Sequence, residues 1–184
     1  LCRLYGEIER SGRDPESALA RISVVRADVK VASPAELGIE PNSLGAIITS
    51  PPYLCMADYT LGQRLSYELL CPDEMEADFK AEIGKRRSRF RGEEAVEEYR
   101  AAMVNFARLA SQCIRKDGFV ATVLGTPTAK QFASWNAMNE FDEVLSQYAF
   151  EKVWEVVRPI NWHRNHGYSR LSTERVSVHR FHAK

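Results

Sequence analysis

The chain has 184 residues, of which 45% are hydrophobic and 10% aromatic, so it can bury one core and one domain is expected. Its 25 basic and 25 acidic residues cancel, which excludes a globally basic nucleic-acid-binding protein and leaves only local patches to hold a polyanion. The sequence has no apolar run of membrane-spanning length, no signal peptide and no C-x-x-C pair, which predicts a reduced, cytoplasmic protein with no membrane partner.

Short apolar strand patterns alternate with helix patterns along the chain. Helices are predicted at 2–10, 15–20, 33–37, 60–71, 93–115 and 137–149. Strands are predicted at 22–25, 45–48, 119–124, 150–162 and 174–182. The continuous apolar run at 45–48 is typical of a parallel strand covered on both faces. The charged segment 73–98 is predicted to be a helical insertion in a single domain, 1–184. The alternation favours a doubly wound α/β sheet with a C-terminal antiparallel hairpin.

Thr49-Ser50-Pro51-Pro52-Tyr53 directly follows the predicted strand at 45–48. Two consecutive prolines fix φ near about −65° and remove two backbone donors, so the chain must leave the sheet in a stiff, extended turn. The Ser50 hydroxyl and the carbonyls around Pro51 can then accept hydrogen bonds from a ligand, beside the flat face of Tyr53. Acceptors next to an aromatic ring suit the exocyclic amino group of a flipped-out nucleobase. The alternative is a rigid surface turn in which Tyr53 is a packing residue.

Ser50-Pro51-Pro52-Tyr53 resembles the catalytic motif of the S-adenosylmethionine-dependent DNA amino-methyltransferases, which methylate cytosine N4 or adenine N6. Segment 115–123 is similar to the helix-turn-strand that follows this motif, and 164–178 is similar to the closing hairpin of the branch with the Ser-Pro-Pro-Tyr form. The resemblance implies a site-specific DNA methyltransferase, as in a restriction-modification system, with a Rossmann-like methyltransferase sheet. It also implies that Ser50, Pro51, Pro52 and Tyr53 are catalytic and that S-adenosyl-L-methionine is the cofactor.

Two residues are expected at the cofactor. Asp28 follows the predicted strand at 22–25 and resembles the acidic residue that the family places near the adenine, and Thr49 is expected to lie at the cofactor as well. The competing interpretation of Asp28 is a turn or helix-cap aspartate.

The sequence departs from the family at the cofactor site. The family holds the methionine part of the cofactor on a Gly-rich turn after its first strand, but the ten glycines here are scattered and form no such turn. In the family strand order 3-2-1-4-5-7-6, this chain carries strands 3 to 7 and lacks strands 1 and 2. The chain also begins Leu1-Cys2-Arg3, without an initiator methionine. We therefore expect a fragment with a partial sheet, and an upstream segment or partner chain that carries the missing turn.

The chemistry follows from the weakness of the nucleophile. The lone pair of an exocyclic base amine is conjugated into the ring and is poorly available. If Ser50 Oγ and the Pro51 carbonyl accept its hydrogens, the nitrogen is pushed toward sp³ geometry and its lone pair toward the sulfonium methyl group. Base flipping costs roughly a few kcal/mol, and stacking on Tyr53 offsets part of this cost. In-line positioning of the amine and the methyl group supplies the remaining lowering of the barrier. This chemistry needs no metal.

Two basic segments are expected to contact nucleic acid. Segment 85–91 carries five positive charges, and we expect Arg86, Arg87 and Arg89 to hold DNA phosphates. The competing interpretation is a solvent-exposed face whose basic side chains pair with the glutamates of 93–98. The predicted hairpin loop could stack a base or clamp phosphates through Trp162, His163, Arg164, Asn165 and His166. Its alternative is a polar hairpin tip. Tyr59 is expected to line the base pocket.

Two other interpretations of the sequence remain. The His163/His166 and His179/His182 spacings suggest a metal site, but no cysteine or carboxylate lies at zinc-ligand spacing, so no metal is predicted. The missing Gly-rich turn leaves open a non-catalytic nucleic-acid-binding module that kept the fold. An RNA base methyltransferase also stays open, because the turn recognises an amino group on a base and not the sugar.

Overall fold

The computed structural model describes residues 23–125, 132, 135–160 and 173–182. Its strands are β1 (Leu44–Thr49), β2 (Ile114–Gly125), β3 (Phe150–Pro159) and β4 (Thr173–Phe181). Its helices are α1 (Tyr59–Gly62), α2 (Arg64–Leu70), α3 (Met75–Ala81), α4 (Glu93–Cys113) and α5 (Ala137–Gln147), with 3₁₀ turns at Pro72–Glu74 and Arg86–Arg91. The helices predicted at 2–10 and 15–20 lie outside the described residues.

The four strands form one mixed sheet in the order β1-β2-β4-β3. β1 and β2 are parallel, and β4 is antiparallel to both β2 and β3. This order, with one antiparallel strand inserted, is that of strands 4, 5, 7 and 6 in the resembled sheet. The expectation of a partial Rossmann-like methyltransferase sheet with a C-terminal antiparallel pair is therefore confirmed.

Helices α4 and α5 pack on one face of the sheet. α4 begins with Glu93 and Glu94, whose charges favour a helix N-terminus, and it turns Tyr99, Met103 and Ala107 into the core. The N-cap residue of α5 is Asn136, whose side chain accepts hydrogen bonds from two backbone N–H groups of the first turn. The core beneath them contains strand residues of β2 and β4 and large aromatics of α5 and its approach, among them Val120, Leu124, Phe132, Phe141 and Phe181.

Three element predictions need correction. The strand predicted at 22–25 is wrong over residues 23–25, which form no strand because no described strand offers them a hydrogen-bonding ladder, and Val24 is exposed. β1 is not covered on both faces, since Ile48 is 84% exposed. Residues 34–38 form hydrogen-bonded turns and not a helix, although Gly38 ends them with a φ of +64° as expected of a terminator.

The remaining helical predictions hold with small changes. The helix predicted at 60–71 is divided into α1 and α2, and α2 ends before Pro72, which opens the next 3₁₀ turn. The charged segment 73–98 is mostly helical, and its role as an insertion stays a prediction. Among the residues that the structure describes, no helix has the length and apolar character needed to cross a bilayer.

Candidate active site at the carboxyl end of the first strand

The Ser-Pro-Pro-Tyr turn leaves β1 at the edge of the sheet where the parallel strands β1 and β2 end. Thr49 still pairs with Thr122, and the next residue, Ser50, is exposed. Its hydroxyl donates to the backbone carbonyl of Val123 at 3.3 Å. The Ser50 side chain also hydrogen-bonds the side chain of Tyr53, and a hydroxyl oxygen can still accept a further hydrogen bond from an incoming donor. No backbone N–H of the described residues donates to the Pro51 carbonyl.

The turn is held from the helical side of the sheet. The buried Tyr99 of α4 donates its hydroxyl to the Pro52 carbonyl at 2.9 Å. Leu54 and Cys55 follow the motif and are each only 1% exposed, and the Cys55 N–H donates to the Gly84 carbonyl at 2.6 Å. The motif is therefore fixed at both its strand end and its downstream end.

Tyr53 makes a contact across the sheet that its motif does not predict. Its hydroxyl donates to the Glu174 carboxylate at 2.8 Å, and Glu174 also pairs with Arg158 of β3 at 2.9 Å. Burial, followed by the hydrogen bond to Glu174, raises the pKa of Tyr53 to about 12. The phenol thus stays protonated at neutral pH and serves as a tether that sets the position of its ring.

A cavity of about 600 Å³ lies beside the turn. Its wall includes Asp28, Pro52 and Tyr59, so the structure brings together the predicted cofactor residue, one motif residue and the predicted base-pocket residue. Ser50 and Tyr53 do not line it. The volume is within the range of ordinary small-molecule sites.

Tyr59 sits at the start of α1 and is 47% exposed. The Glu82 carboxylate accepts hydrogen bonds from the backbone N–H groups of Tyr59 (2.6 Å) and Thr60 (3.2 Å), which anchors the helix start at the cavity wall. Burial raises the pKa of the Tyr59 hydroxyl. Tyr59 is therefore placed with its ring at the cavity and its backbone fixed.

Asp28 lies in a hydrogen-bonded turn, as its competing interpretation as a turn aspartate expects. Its carboxylate accepts a hydrogen bond from the Lys30 backbone at 2.9 Å, and the other oxygen lies 3.4 Å from the Lys30 ammonium. The backbone carbonyl of Asp28 accepts from Val31 and Ala32. Neighbouring Arg26 pairs with Glu74 and Asp78, which joins this segment to the Pro72–Ala81 region. The turn holds Asp28 on the cavity wall, so its structural role is compatible with a ligand contact.

The predicted DNA-binding residues are only partly described. Arg86 and Arg87 lie in the 3₁₀ turn after α3, and the Arg87 guanidinium lies 5.4 Å from the centre of the Phe79 ring. Arg91 of the same segment pairs with Glu94 and Glu98, as the solvated-face interpretation expects. The side chain of Arg89 and the loop residues Trp162, His163, Arg164, Asn165 and His166 lie outside the described part of the chain.

Sequence reasoning missed Tyr99, Glu174 and Arg158. Tyr99 is visible only as one apolar position of the α4 stripe, and Glu174 only as a member of the last strand, so no local signal pairs either of them with the motif. The two histidines of the second H-x-x-H spacing have structural partners, since His179 lies 3.1 Å from Asp142 and His182 lies 2.8 Å from Glu151. Within the described residues, no group of three metal-ligand side chains occurs.

Comparison with known proteins gives a fold but no family assignment. No family model matches the chain, and no curated protein matches it. Among solved structures, it is similar to TTHA0409 of Thermus thermophilus, provisionally described as a DNA modification methylase. Against the complex of that protein with S-adenosyl-L-methionine, the identity is 12% and the TM-score 0.52, over 88% of this chain and 55% of the other. Against its selenomethionine derivative, the identity is 11% and the TM-score 0.50, over 88% and 54%.

This chain therefore spans about half the length of the structures that it matches. At such low identity, the likeness concerns the fold alone. The chain has a partial Rossmann-like methyltransferase fold, with the Ser-Pro-Pro-Tyr turn at the carboxyl end of its first described strand.

Proposed function

We propose that this chain is the catalytic and substrate half of a site-specific DNA methyltransferase. It would act in moving the methyl group of S-adenosyl-L-methionine to the exocyclic amino group of a flipped cytosine (N4) or adenine (N6). The observation that carries the proposal is the fixed turn, in which the Ser50 proton is committed to the Val123 carbonyl and Tyr53 is tied to Glu174. The likeness to a DNA modification methylase solved with S-adenosyl-L-methionine supports the same cofactor class.

Ser50 and Pro51 orient the amino group. With its hydroxyl donating to Val123, the Ser50 oxygen would accept one amino hydrogen while the Pro51 carbonyl accepts the other. The nitrogen lone pair is then directed away from the turn, toward the methyl group. S-adenosyl-L-methionine, when bound, would supply the methyl group and leave as its thioether with the S–C bonding electrons, and the surplus amino proton would leave to the solvent that reaches exposed Ser50.

Tyr53 supports the flipped base by stacking. Stacking of a base on an aromatic ring is worth roughly 1–3 kcal/mol, which offsets part of the cost of extracting the base from its duplex. The tether to Glu174 fixes the ring before the base arrives, so little side-chain entropy is lost on binding. Tyr59 forms the adjacent wall.

The cofactor fits the described residues in part. The cavity beside Asp28 and Pro52 has room for the adenosine part, and the Asp28 carboxylate is an acceptor suited to the adenine amino group. Thr49 lies one residue before the turn and stays a predicted cofactor residue. The described residues include no Gly-rich turn for the methionine part. We therefore propose that a segment outside residues 1–184 supplies it, either upstream in the same polypeptide or on a partner chain.

DNA is expected to be held by local positive charge. Arg86 and Arg87 of the 3₁₀ turn, with Arg89 and the loop residues 162–166, are the proposed phosphate and base contacts. Because the chain has 25 basic and 25 acidic residues, affinity must come from these patches and not from net charge.

A non-catalytic nucleic-acid-binding module is the second candidate, and the missing Gly-rich turn is the observation that favours it. A third keeps the chemistry and takes RNA as substrate, since the turn contacts only the base.

Transfer of a labelled methyl group to DNA tests the proposal, in the natural assembly that contains this chain. Replacing Tyr53 by alanine should lower kcat/KM by roughly 10- to 100-fold, the equivalent of one lost stacking contact, with little change in cofactor affinity. Tyr148→Ala is the matched control, because Tyr148 follows the end of α5 and does not line the cavity beside the turn. Equal turnover by wild type and Tyr53→Ala would contradict the stacking role. DNA binding without any methyl transfer would favour the non-catalytic nucleic-acid-binding module.

A further inference from the structure

Two carboxylates that follow the Ser-Pro-Pro-Tyr turn each cap a segment other than their own. An aspartate at an N-cap position usually accepts a hydrogen bond from the first turn of its own helix. Asp58 is the N-cap residue of α1, but its side chain makes no such bond. The Glu82 carboxylate instead accepts from the first two N–H groups of α1, at 2.6 Å and 3.2 Å. Asp58 Oδ1 accepts from the backbone N–H of Arg87 at 3.3 Å, near the start of the basic 3₁₀ turn. Each segment therefore supplies the acceptor that the start of the other needs.

Two backbone hydrogen bonds continue this link. The Cys55 N–H donates to the Gly84 carbonyl at 2.6 Å, and the Arg86 N–H donates to the Ala57 carbonyl at 3.0 Å. Cys55 is 1% exposed, so this end of the link is shielded from water. We refer to residues 55–60 and 82–87 as the paired segments. Their hydrogen bonds fix the basic turn to the chain that leaves the Ser-Pro-Pro-Tyr turn.

The paired segments lie between the two parts of the proposed site. Tyr59 and Glu82 line the cavity beside the turn, together with Pro52 of the motif. At the other end, Arg87 is exposed and its guanidinium lies 5.4 Å from the centre of the Phe79 ring. The paired segments therefore connect a wall of the cavity to a cation that is proposed to contact DNA phosphate.

The charge of the two carboxylates argues against a direct role in binding DNA. A negative charge next to a phosphate contact weakens the attraction for a polyanion. Asp58 and Glu82 nevertheless lie at this place, and each uses its carboxylate to hold backbone N–H groups of the opposite segment. Their geometry is that of supports, which set the position of the basic turn relative to the cavity.

We propose that Asp58 and Glu82 are positioning residues, which set the distance between the DNA phosphates held at the basic turn and the flipped base at Tyr53. The inference rests on the proposed function for the identity of the substrate. Phosphate contacts fix the register of a protein on DNA, so a basic turn held firmly to the motif delivers the base to a fixed place. A misplacement of about 1 Å can cost roughly 100-fold in rate.

Two substitutions at Asp58 separate its hydrogen bond from its charge. Asp58→Ala and Asp58→Asn both remove one negative charge, but only asparagine keeps a side-chain oxygen that can accept the Arg87 N–H. Single-turnover methyl transfer to unmethylated genomic DNA, made by whole-genome amplification, is measured in the natural assembly. Asp58→Ala should lower the rate at saturating DNA roughly tenfold, with DNA affinity equal or higher, whereas Asp58→Asn should stay close to wild type. Equal rates for the two variants, or a loss that lies only in DNA affinity, would overturn the inference.

Two further variants test whether the carboxylates act as one unit. Glu76→Gln is the matched control, because it removes a negative charge from neighbouring α3, where Glu76 pairs with exposed Lys80, and it should change neither rate nor affinity. Glu82→Ala should reproduce the loss of rate. The double variant of Asp58 and Glu82 should lose less than the product of the two single losses, since both residues support one link. Fully multiplicative losses would contradict a shared role.

Hydrogen exchange gives a readout that does not depend on catalysis. Duplex DNA bound to the wild type should slow amide exchange at Tyr59 and Thr60, whose N–H groups Glu82 holds. The slowing should be lost in Asp58→Ala and retained in Asp58→Asn. DNA-dependent slowing without any methyl transfer would refute the proposed function and leave the positioning role standing. Methyl transfer by the wild type without this slowing would refute the positioning role and leave the proposed function standing.

Discussion

Replacing Tyr53 by phenylalanine should change how the stability of the chain depends on pH. The hydroxyl of Tyr53 donates to Glu174 at 2.8 Å. Burial and this carboxylate raise its pKa to about 12, compared with an ordinary value of about 10. The folded state thus favours the protonated phenol. Its stabilising effect is fully present below about pH 10 and is lost as the pH rises from there toward 12.

The magnitude is modest because Tyr53 is only half-buried. A rise of two pKa units corresponds to an upper limit of about 3 kcal/mol, and solvent screening reduces this to roughly 1 kcal/mol. One hydrogen bond to a charged group has the same order of magnitude. Tyr53→Phe should therefore be roughly 1 kcal/mol less stable than wild type at pH 8, and the difference should close as the pH approaches 12.

Urea unfolding followed by circular dichroism between pH 8 and pH 11.5 measures this difference. Tyr67→Phe is the matched control, since Tyr67 donates to Asp78 at 2.7 Å on the outer helices, and its effect should be smaller. Glu174→Gln should reduce the pH dependence of the wild type. A difference between wild type and Tyr53→Phe that stays constant across the range would refute the tether.

Three further predictions concern the supports of the site. Asp142→Ala should cost about 3–5 kcal/mol of stability, because it removes the carboxylate that pairs with buried Arg175 at 2.7 Å and with buried His179 at 3.1 Å and leaves Arg175 only the more distant Glu155, at 3.6 Å; an unchanged thermal midpoint would contradict this role of Asp142. Gly84→Ala should destabilise by about 1–3 kcal/mol, since Gly84 has a φ of +66° and a Cβ there would lie 3.2 Å from backbone, whereas Gly62→Ala has open space and should be near neutral. Arg87→Ala should lower the slope of log affinity for DNA against log salt by about one, and an unchanged slope would remove it from the phosphate contacts.

The sequence predicts the local parts of this molecule better than its long-range contacts. The strand of β1, the turn after it and the helix α4 follow from residue type and periodicity, because each is decided within a few residues. The strand expected at 22–25 does not form over residues 23–25, since a strand needs a neighbour and the described residues provide none. Ile48 is exposed for a related reason, since no described residue covers its side of β1.

The contacts that organise the site are invisible to local patterns. Tyr53 and Glu174 are 121 residues apart in the sequence, and Tyr99 and Pro52 are 47 apart. The register of β2 against β1 and β4 brings Tyr53 close to Glu174, and the packing of α4 on the core brings Tyr99 to Pro52. The sequence motif therefore predicts the chemistry, whereas the sheet determines which side chains hold the motif in place.

The central claim, that this chain holds the catalytic turn but lacks part of the cofactor site, is tested most directly by calorimetric titration of S-adenosyl-L-methionine. The titration is made into residues 1–184 alone and into the chain mixed with an upstream segment or partner chain that carries a Gly-rich turn. The account predicts no measurable binding to the chain alone and stoichiometric binding to the assembly. Full-affinity binding by the chain alone would contradict the claim that it lacks part of the cofactor site. Absence of binding in both titrations would contradict the proposed methyltransferase function.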